Sequence, residues 1–264
     1  VASPTTSKLR RSDSRERLHR INEKFLVEVR EVPASTKRGL YVWSGALVLG
    51  GIAAFLMVLF DVLGTEDLAS VDQPFADFMA ALRSETLTTV MIWLAVVFGP
   101  VVLPIVALGV TVAWTLFSKH AWRPLLLAGG LLLGLLTIQV LTRLVGRDRP
   151  PVDGMLFGTD YTPSFPSGHV LGASDFLLLV AYLVFSRRQR PVLAALSFVG
   201  AAILIVIAAV SRIYLGYHWA TDAMASMALS LVVLGIVIAV DTWRTMRVKG
   251  ESRPPTATKA PSDY

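Results

Sequence analysis

The chain has 264 residues, 54% of them hydrophobic and 17% charged, with a net charge of +6 at neutral pH. That is too apolar for an ordinary water-soluble domain and points to a protein that crosses the membrane several times. The absence of cysteine excludes disulfides, thiolate metal sites and cysteine nucleophiles, and the placement of basic residues beside apolar runs marks topology, not nucleic-acid binding.

Residues 1–11 are polar. From Ser12 to Val32, Leu18, Ile21, Phe25, Val29 and Val32 recur at helical spacing among charges of both signs. This predicts an amphipathic cytoplasmic helix resting on anionic lipid headgroups. The polar stretch before the first apolar run is too long for a cleavable signal sequence, so the first span is expected to remain as an anchor. Six apolar segments follow, at 42–60, 88–117, 124–142, 170–186, 192–210 and 223–243. Most approach the ~20 residues that a spanning helix needs, so the fold class expected is all-α, a six-transmembrane-helix bundle. The second segment is too long for one straight span and should break or tilt at Gly99-Pro100 or Pro104. The expected organisation is a basic amphipathic segment over 1–39, a membrane core over 40–246 and a disordered tail over 247–264.

Charge sets the expected orientation. With the N-terminus inside, six spans put both termini in the cytoplasm together with Lys8, Lys24, Lys37, Lys119, Lys249 and Lys259, every lysine in the chain. The loop from Asp61 to Glu85 is acidic and falls outside. Five arginines also fall outside: Arg83, Arg143, Arg147, Arg149 and Arg212. Four of them lie in two short stretches beside span ends, where charge is costly unless something uses it.

Three outward segments then share one chemistry. They are Thr142-Arg143-Leu144-Val145-Gly146-Arg147-Asp148-Arg149-Pro150, Pro166-Ser167-Gly168-His169, and the stretch from Ser211-Arg212 to His218 and Asp222. Ser167 is a good N-cap residue and Gly168 allows close backbone approach, so a helix starting there offers an anion free N–H groups and a positive dipole end. Arg149 and Arg212 suit bidentate contact with a phosphate. A helix through His218 and Asp222 would stack them four residues apart, the carboxylate fixing the imidazole tautomer and leaving the other nitrogen free to attack. His169 is placed to give a proton to a leaving oxygen. Nothing in the set demands a metal or another cofactor.

On these motifs the chain resembles the type 2 phosphatidic acid phosphatase (PAP2) superfamily of integral-membrane lipid phosphatases. The resemblance implies a membrane phosphatase acting on a lipid phosphate or diphosphate, with polyprenyl diphosphate, phosphatidylglycerol phosphate and phosphatidate as candidate substrates. It implies that His218 forms a phosphohistidine, Asp222 supports it and His169 protonates the leaving group. Arg149, Arg212, Ser167 and Gly168 would hold the phosphate, without metal, at the outer face of the cytoplasmic membrane. One position departs from the family pattern: Thr142 stands where a lysine is usual. Either Arg143 or Arg147 supplies that cation or a weaker clamp suffices, and a changed substrate or lost activity stays open. Two alternatives are a lipid phosphotransferase and a non-catalytic lipid-phosphate binding or transport protein that keeps the anion pocket.

Overall fold

Apolar runs of this length satisfy their backbone polar groups inside a bilayer only by coiling into helices. The computed structural model describes residues 30–64, 69–186 and 190–248. In it α1 spans Ala34–Gly64, α2 Asp72–Ala81, α3 Glu85–Val97 and α4 Val102–Phe117. They are followed by α5 (Trp122–Val145), α6 (Gly168–Phe185), α7 (Pro191–Tyr214) and α8 (Ala220–Thr245). Helices α1, α5, α6, α7 and α8 are long and apolar enough to cross a membrane, and α3 with α4, bent by 45° at a short break, make a sixth span. The expected all-α six-span bundle is what the chain forms. The break falls at Gly99-Pro100, whereas Pro104 sits in the first turn of α4, where its missing N–H has no intrahelical bond to lose.

Several expectations need correction. Helix α7 continues to Tyr214, past the expected end at 210, and so holds Arg212 in its last turn. The acidic loop after α1 contains a helix, α2, that carries no span-length signal. Most of the Ser12–Val32 segment lies outside the described residues; its last three, Arg30–Val32, are extended as β1. They pair in parallel with β2, Met246–Val248. Arg247 and Val248 are therefore ordered strand residues, and the rest of the tail lies outside the described residues.

Helix α8 is the axis of the bundle: 61% of its most apolar stretch is buried, against 22% for α1, α5 and α7. The outward surfaces of those three carry exposed Leu49, Phe60, Leu136 and Ile203, as lipid contact requires. Small residues let α1 and α8 approach closely. A Cβ at Gly51 would lie 2.7 Å from the Ala228 carbonyl oxygen, and one at Gly235 would lie 2.8 Å from that of Ser44. The Ser44 hydroxyl donates to the Gly235 carbonyl at 2.8 Å. Buried Asp175 on α6 is accommodated in the same way, its Oδ2 filling the space a Cβ at Gly134 would need, while its Oδ1 has no hydrogen-bond partner. Asp241 accepts from Trp122 Nε1 and Tyr182 Oη and lies 3.7 Å from Arg123, which ties α5, α6 and α8 together at one end. The other end, where α5 and α7 finish and α6 and α8 begin, gathers the three motifs.

Gly51→Ala should destabilise the protein by about 1–3 kcal/mol, the range for overpacking a close contact, read as a lower thermal midpoint in detergent. An unchanged midpoint would show that α1 and α8 can separate without loss.

Candidate phosphate-binding site

Helix α5 ends because Gly146 takes a left-handed conformation (φ +62°) and its N–H closes on the Thr142 carbonyl. The chain then turns back over the bundle end and presents Arg147 and Arg149. Its return path is fixed by the aromatic residues beside His218. Tyr217 Oη donates to the Gly158 carbonyl at 2.5 Å, and Trp219 Nε1 donates to that of Asp148 at 3.1 Å. Below them Gly216 adopts φ +82°, where a Cβ would lie 2.5 Å from the Gly154 carbonyl oxygen. Arg83 donates to that carbonyl and to the one of Tyr214.

His218 is 3% exposed. It lies two residues before α8, not on the helix, so the expected stacking on one helical face is replaced by a contact across the helix start. Nδ1 lies 2.9 Å from the Ser164 carbonyl oxygen and 3.3 Å from Asp222 Oδ2, two groups that can only accept while the carboxylate is ionised. Nδ1 therefore carries the proton. Nε2 keeps its lone pair, and an Nη1–H of Arg149 points at it from 3.3 Å. Burial pulls the His218 pKa below the ordinary imidazole value, aided by Arg212 and Arg149 and opposed by Asp222. The ring is thus neutral at pH 7, with a nucleophilic nitrogen available.

Arg149 is held flat. Nε donates to the Thr162 carbonyl at 2.7 Å, Nη1 to that of Tyr217 at 2.7 Å, and Nη2 meets Thr162 Oγ1 at 2.9 Å and Asp160 at 2.8 Å. Burial alone would raise the Asp160 pKa, but the Thr162 N–H and hydroxyl and the Arg149 charge outweigh it and hold the carboxyl below its ordinary value. Arg212 comes from α7 with its Cζ 4.3 Å from the centre of the Tyr217 ring, and its buried Nε has no partner.

Ser167 occupies the N-cap position of α6 but its side chain caps nothing: Oγ is fully buried and unpartnered. Beside it Gly168 is exposed, and the first amides of α6 lack intrahelical partners. Two buried, unsatisfied donors thus lie beside a helix start whose first residue is exposed, the chemistry that suits an anion. His169, half-buried in the first turn of α6, interacts electrostatically with Arg212, His218 and Arg149. The structure therefore brings His169, His218, Asp222, Ser167, Gly168, Arg149 and Arg212 into one cluster.

The two remaining candidates behave differently. Arg143 is exposed in the last turn of α5. Arg147 spends its guanidinium behind the cluster: Nη1 bonds Asp222 Oδ1 at 2.6 Å and Thr221 Oγ1 at 2.8 Å, and Nη2 bonds Asp72 Oδ2 at 2.7 Å. Its guanidinium is thus engaged by two carboxylates. Sequence reasoning missed Asp72, which was one acid among several in the outward loop, and the Ser164 carbonyl, which no side-chain pattern reveals. Among the described residues no three His, Asp or Glu side chains are grouped as a metal site.

Apolar helices thus enclose a buried, oriented imidazole with two arginines and a helix start beside it. Residues 123–246, which contain every member of the cluster, match the PAP2 superfamily. It is 25% identical over 191 residues to phosphatidylglycerophosphatase B of Bacillus subtilis, covering 71% of this chain and 91% of that protein. It is 32% identical over 92 residues to phosphatidylglycerophosphatase B of Escherichia coli, covering 35% of this chain and 33% of that protein. Its fold matches the crystal structure of a transmembrane PAP2-type phosphatidylglycerolphosphate phosphatase from Bacillus subtilis, with a TM-score of 0.64 at 23% identity over 73% of this chain and 96% of the other.

Because protonating His218 opposes its buried environment, its contribution to stability is complete above about 6.5, the unfolded imidazole value. That contribution is lost as pH falls towards and through the lower folded value. Ring-nitrogen NMR should place the proton on Nδ1 and the titration midpoint below that of a free histidine; a midpoint above it would contradict the buried-neutral assignment.

Proposed function

We propose that the protein hydrolyses a lipid phosphate at the extracytoplasmic face of the membrane through a phosphohistidine on His218. The observation that carries this reading is the tautomer. Nδ1 is fixed by Ser164 and Asp222 while Nε2 is left with a lone pair beside Arg149. Phosphate-ester hydrolysis is among the slowest uncatalysed reactions, and the chain answers with a nucleophile, a charge clamp and an acid in one place.

The phosphoryl group lies against Arg149, Arg212, Ser167 Oγ and the amides of Gly168 and His169. Nε2 of His218 attacks phosphorus, an N–P bond forms, and the P–O bond to the lipid alcohol breaks. His169 delivers its proton to that oxygen. The dianion of the bound phosphate offsets the surrounding guanidinium charge and so favours the protonated form of the His169 ring. Water then attacks phosphorus, giving its proton to His169 as the N–P bond breaks, and inorganic phosphate leaves. Asp222 balances the charge that develops on His218.

Lipid is the substrate class because the cluster sits at the ends of apolar helices of membrane-spanning length, where headgroups lie. The relatives named as phosphatidylglycerophosphatases favour phosphatidylglycerol phosphate over polyprenyl diphosphate as the first substrate to test. Lys37 in the first turn of α1 and Lys119 before α5, at the opposite end of the bundle, support an extracytoplasmic site, as do the other lysines flanking the spans in the sequence.

Purified protein in EDTA should release phosphate from phosphatidylglycerol phosphate, phosphatidate or a polyprenyl diphosphate, with vanadate as an inhibitor. His218→Ala should lower the rate by about 10³-fold or more. Full activity in that variant, or a product in which an added alcohol carries the phosphoryl group in place of water, would replace this reading.

A further inference from the structure

Arg147 and Asp72 lie outside the proposed phosphate site, yet they are bonded to the group that orients the nucleophile. Asp222 is fully buried and divides its carboxylate: Oδ2 accepts from the Trp219 N–H at 3.0 Å and faces His218 Nδ1 at 3.3 Å, while Oδ1 takes Arg147 at 2.6 Å. Arg147 in turn is shared with Asp72 at 2.7 Å. Asp72 is itself 3% exposed and stands at the start of α2, a helix that contributes nothing to the span count. Its Oδ1 accepts the Thr221 N–H at 3.0 Å and its Oδ2 the Thr221 hydroxyl at 2.5 Å. It thereby satisfies a free amide in the first turn of α8, a role that a residue of the same helix start usually fills. The Arg147 guanidinium also lies 5.7 Å from the centre of the Trp219 ring. Asp72, Arg147 and Asp222 thus form an alternating row of charges ending on the His218 imidazole.

We propose that Arg147 and Asp72 are a positioning pair for the reaction: Arg147 fixes the rotamer and tempers the charge of Asp222, and Asp72 sets how much of the Arg147 charge reaches it. This rests on the reading of His218 as nucleophile. Neither residue touches the phosphate, so both act through the orientation and basicity of one ring. The groups that face that ring are Asp222 from α8, Arg212 from α7, His169 from α6, and Arg149 and Asp160 from the loop after α5. Changing the charge behind Asp222 leaves all of these in place.

The signs of the two substitutions are opposite. Arg147→Gln strips the counter-charge from Asp222, so the carboxylate stabilises the imidazolium more strongly and the acid limb of the kcat/KM profile moves to higher pH. Asp72→Asn frees Arg147 from half its compensation, so Asp222 is neutralised more fully and the limb moves to lower pH. The test uses full-length protein in detergent with phosphatidylglycerol phosphate as substrate. It compares wild type, Arg147→Gln, Arg147→Lys, Asp72→Asn and His218→Ala by kcat, KM, pH profile and thermal midpoint. Expected are opposite limb displacements, kcat losses on the order of 10²-fold, as for a misplaced reacting group, and KM within about twofold. Arg147→Lys keeps the charge and loses the fork, and should lower kcat with the limb unmoved. If Arg147→Gln does not fold, the downward limb shift of Asp72→Asn and the unmoved limb of Arg147→Lys decide the matter. Limbs that stay put or move together, or a rise in KM that accounts for the whole loss, overturn the pair. An active His218→Ala overturns the nucleophile reading instead, whatever the pair does.

Discussion

The site depends on a carboxylate with no access to water. Asp222 is fully buried, and a buried charge is tolerated only when it is paired and hydrogen-bonded. Two elements meet to satisfy it: the loop after α5 through Arg147 on Oδ1, and the chain before α8 through the Trp219 N–H and His218 Nδ1 on Oδ2. Removing one partner of such a buried pair costs about 3–5 kcal/mol, because the other charge is stranded. Stability and orientation of the nucleophile are therefore one problem with one solution.

The same economy shows in the helix ends. Anion binding needs unfilled donors, which a folded interior normally eliminates. Here Ser167 Oγ and Arg212 Nε stay unsatisfied, while the neighbouring donors on Arg147 and Arg83 are spent on carboxylates and carbonyls. Arg147 and Arg83 are thus tied into the framework, while Arg212 keeps a free donor beside the ring of His218.

That contrast marks the limit of what the sequence reveals. The spans were legible because hydropathy and the ~20-residue requirement act on contiguous residues. The three stretches that carry Arg149, His169, and Arg212 with His218 and Asp222 were legible because the spacing within each is local, while their meeting was an expectation drawn from the family resemblance. The pairing of Arg147 with Asp222 and Asp72 was not legible, because its number of residues from Arg149 says nothing of which way a chain leaving a left-handed Gly146 will turn. Asp72 was illegible because its partner, Thr221, is 149 residues away. The Nδ1 acceptor on Ser164 is a backbone atom, which composition does not encode. The end of α7 was placed too early because Arg212 reads as a charge leaving the membrane, whereas its burial against Tyr217 keeps it helical.

The close approach of α1 and α8 has a consequence for biosynthesis. Helix α1 has as its chief neighbour α8, the span that leaves the ribosome latest of those described. Until α8 is inserted, Gly51 and Ser44 on α1 face lipid or provisional neighbours, and the Ser44 hydroxyl can only bond back to its own helix. The parallel ladder of β1 and β2 has no second strand before translation passes Val248. Closure of the bundle is thus a long-range event, and the nascent chain carries an unsealed seam along α1 until α8 has been made.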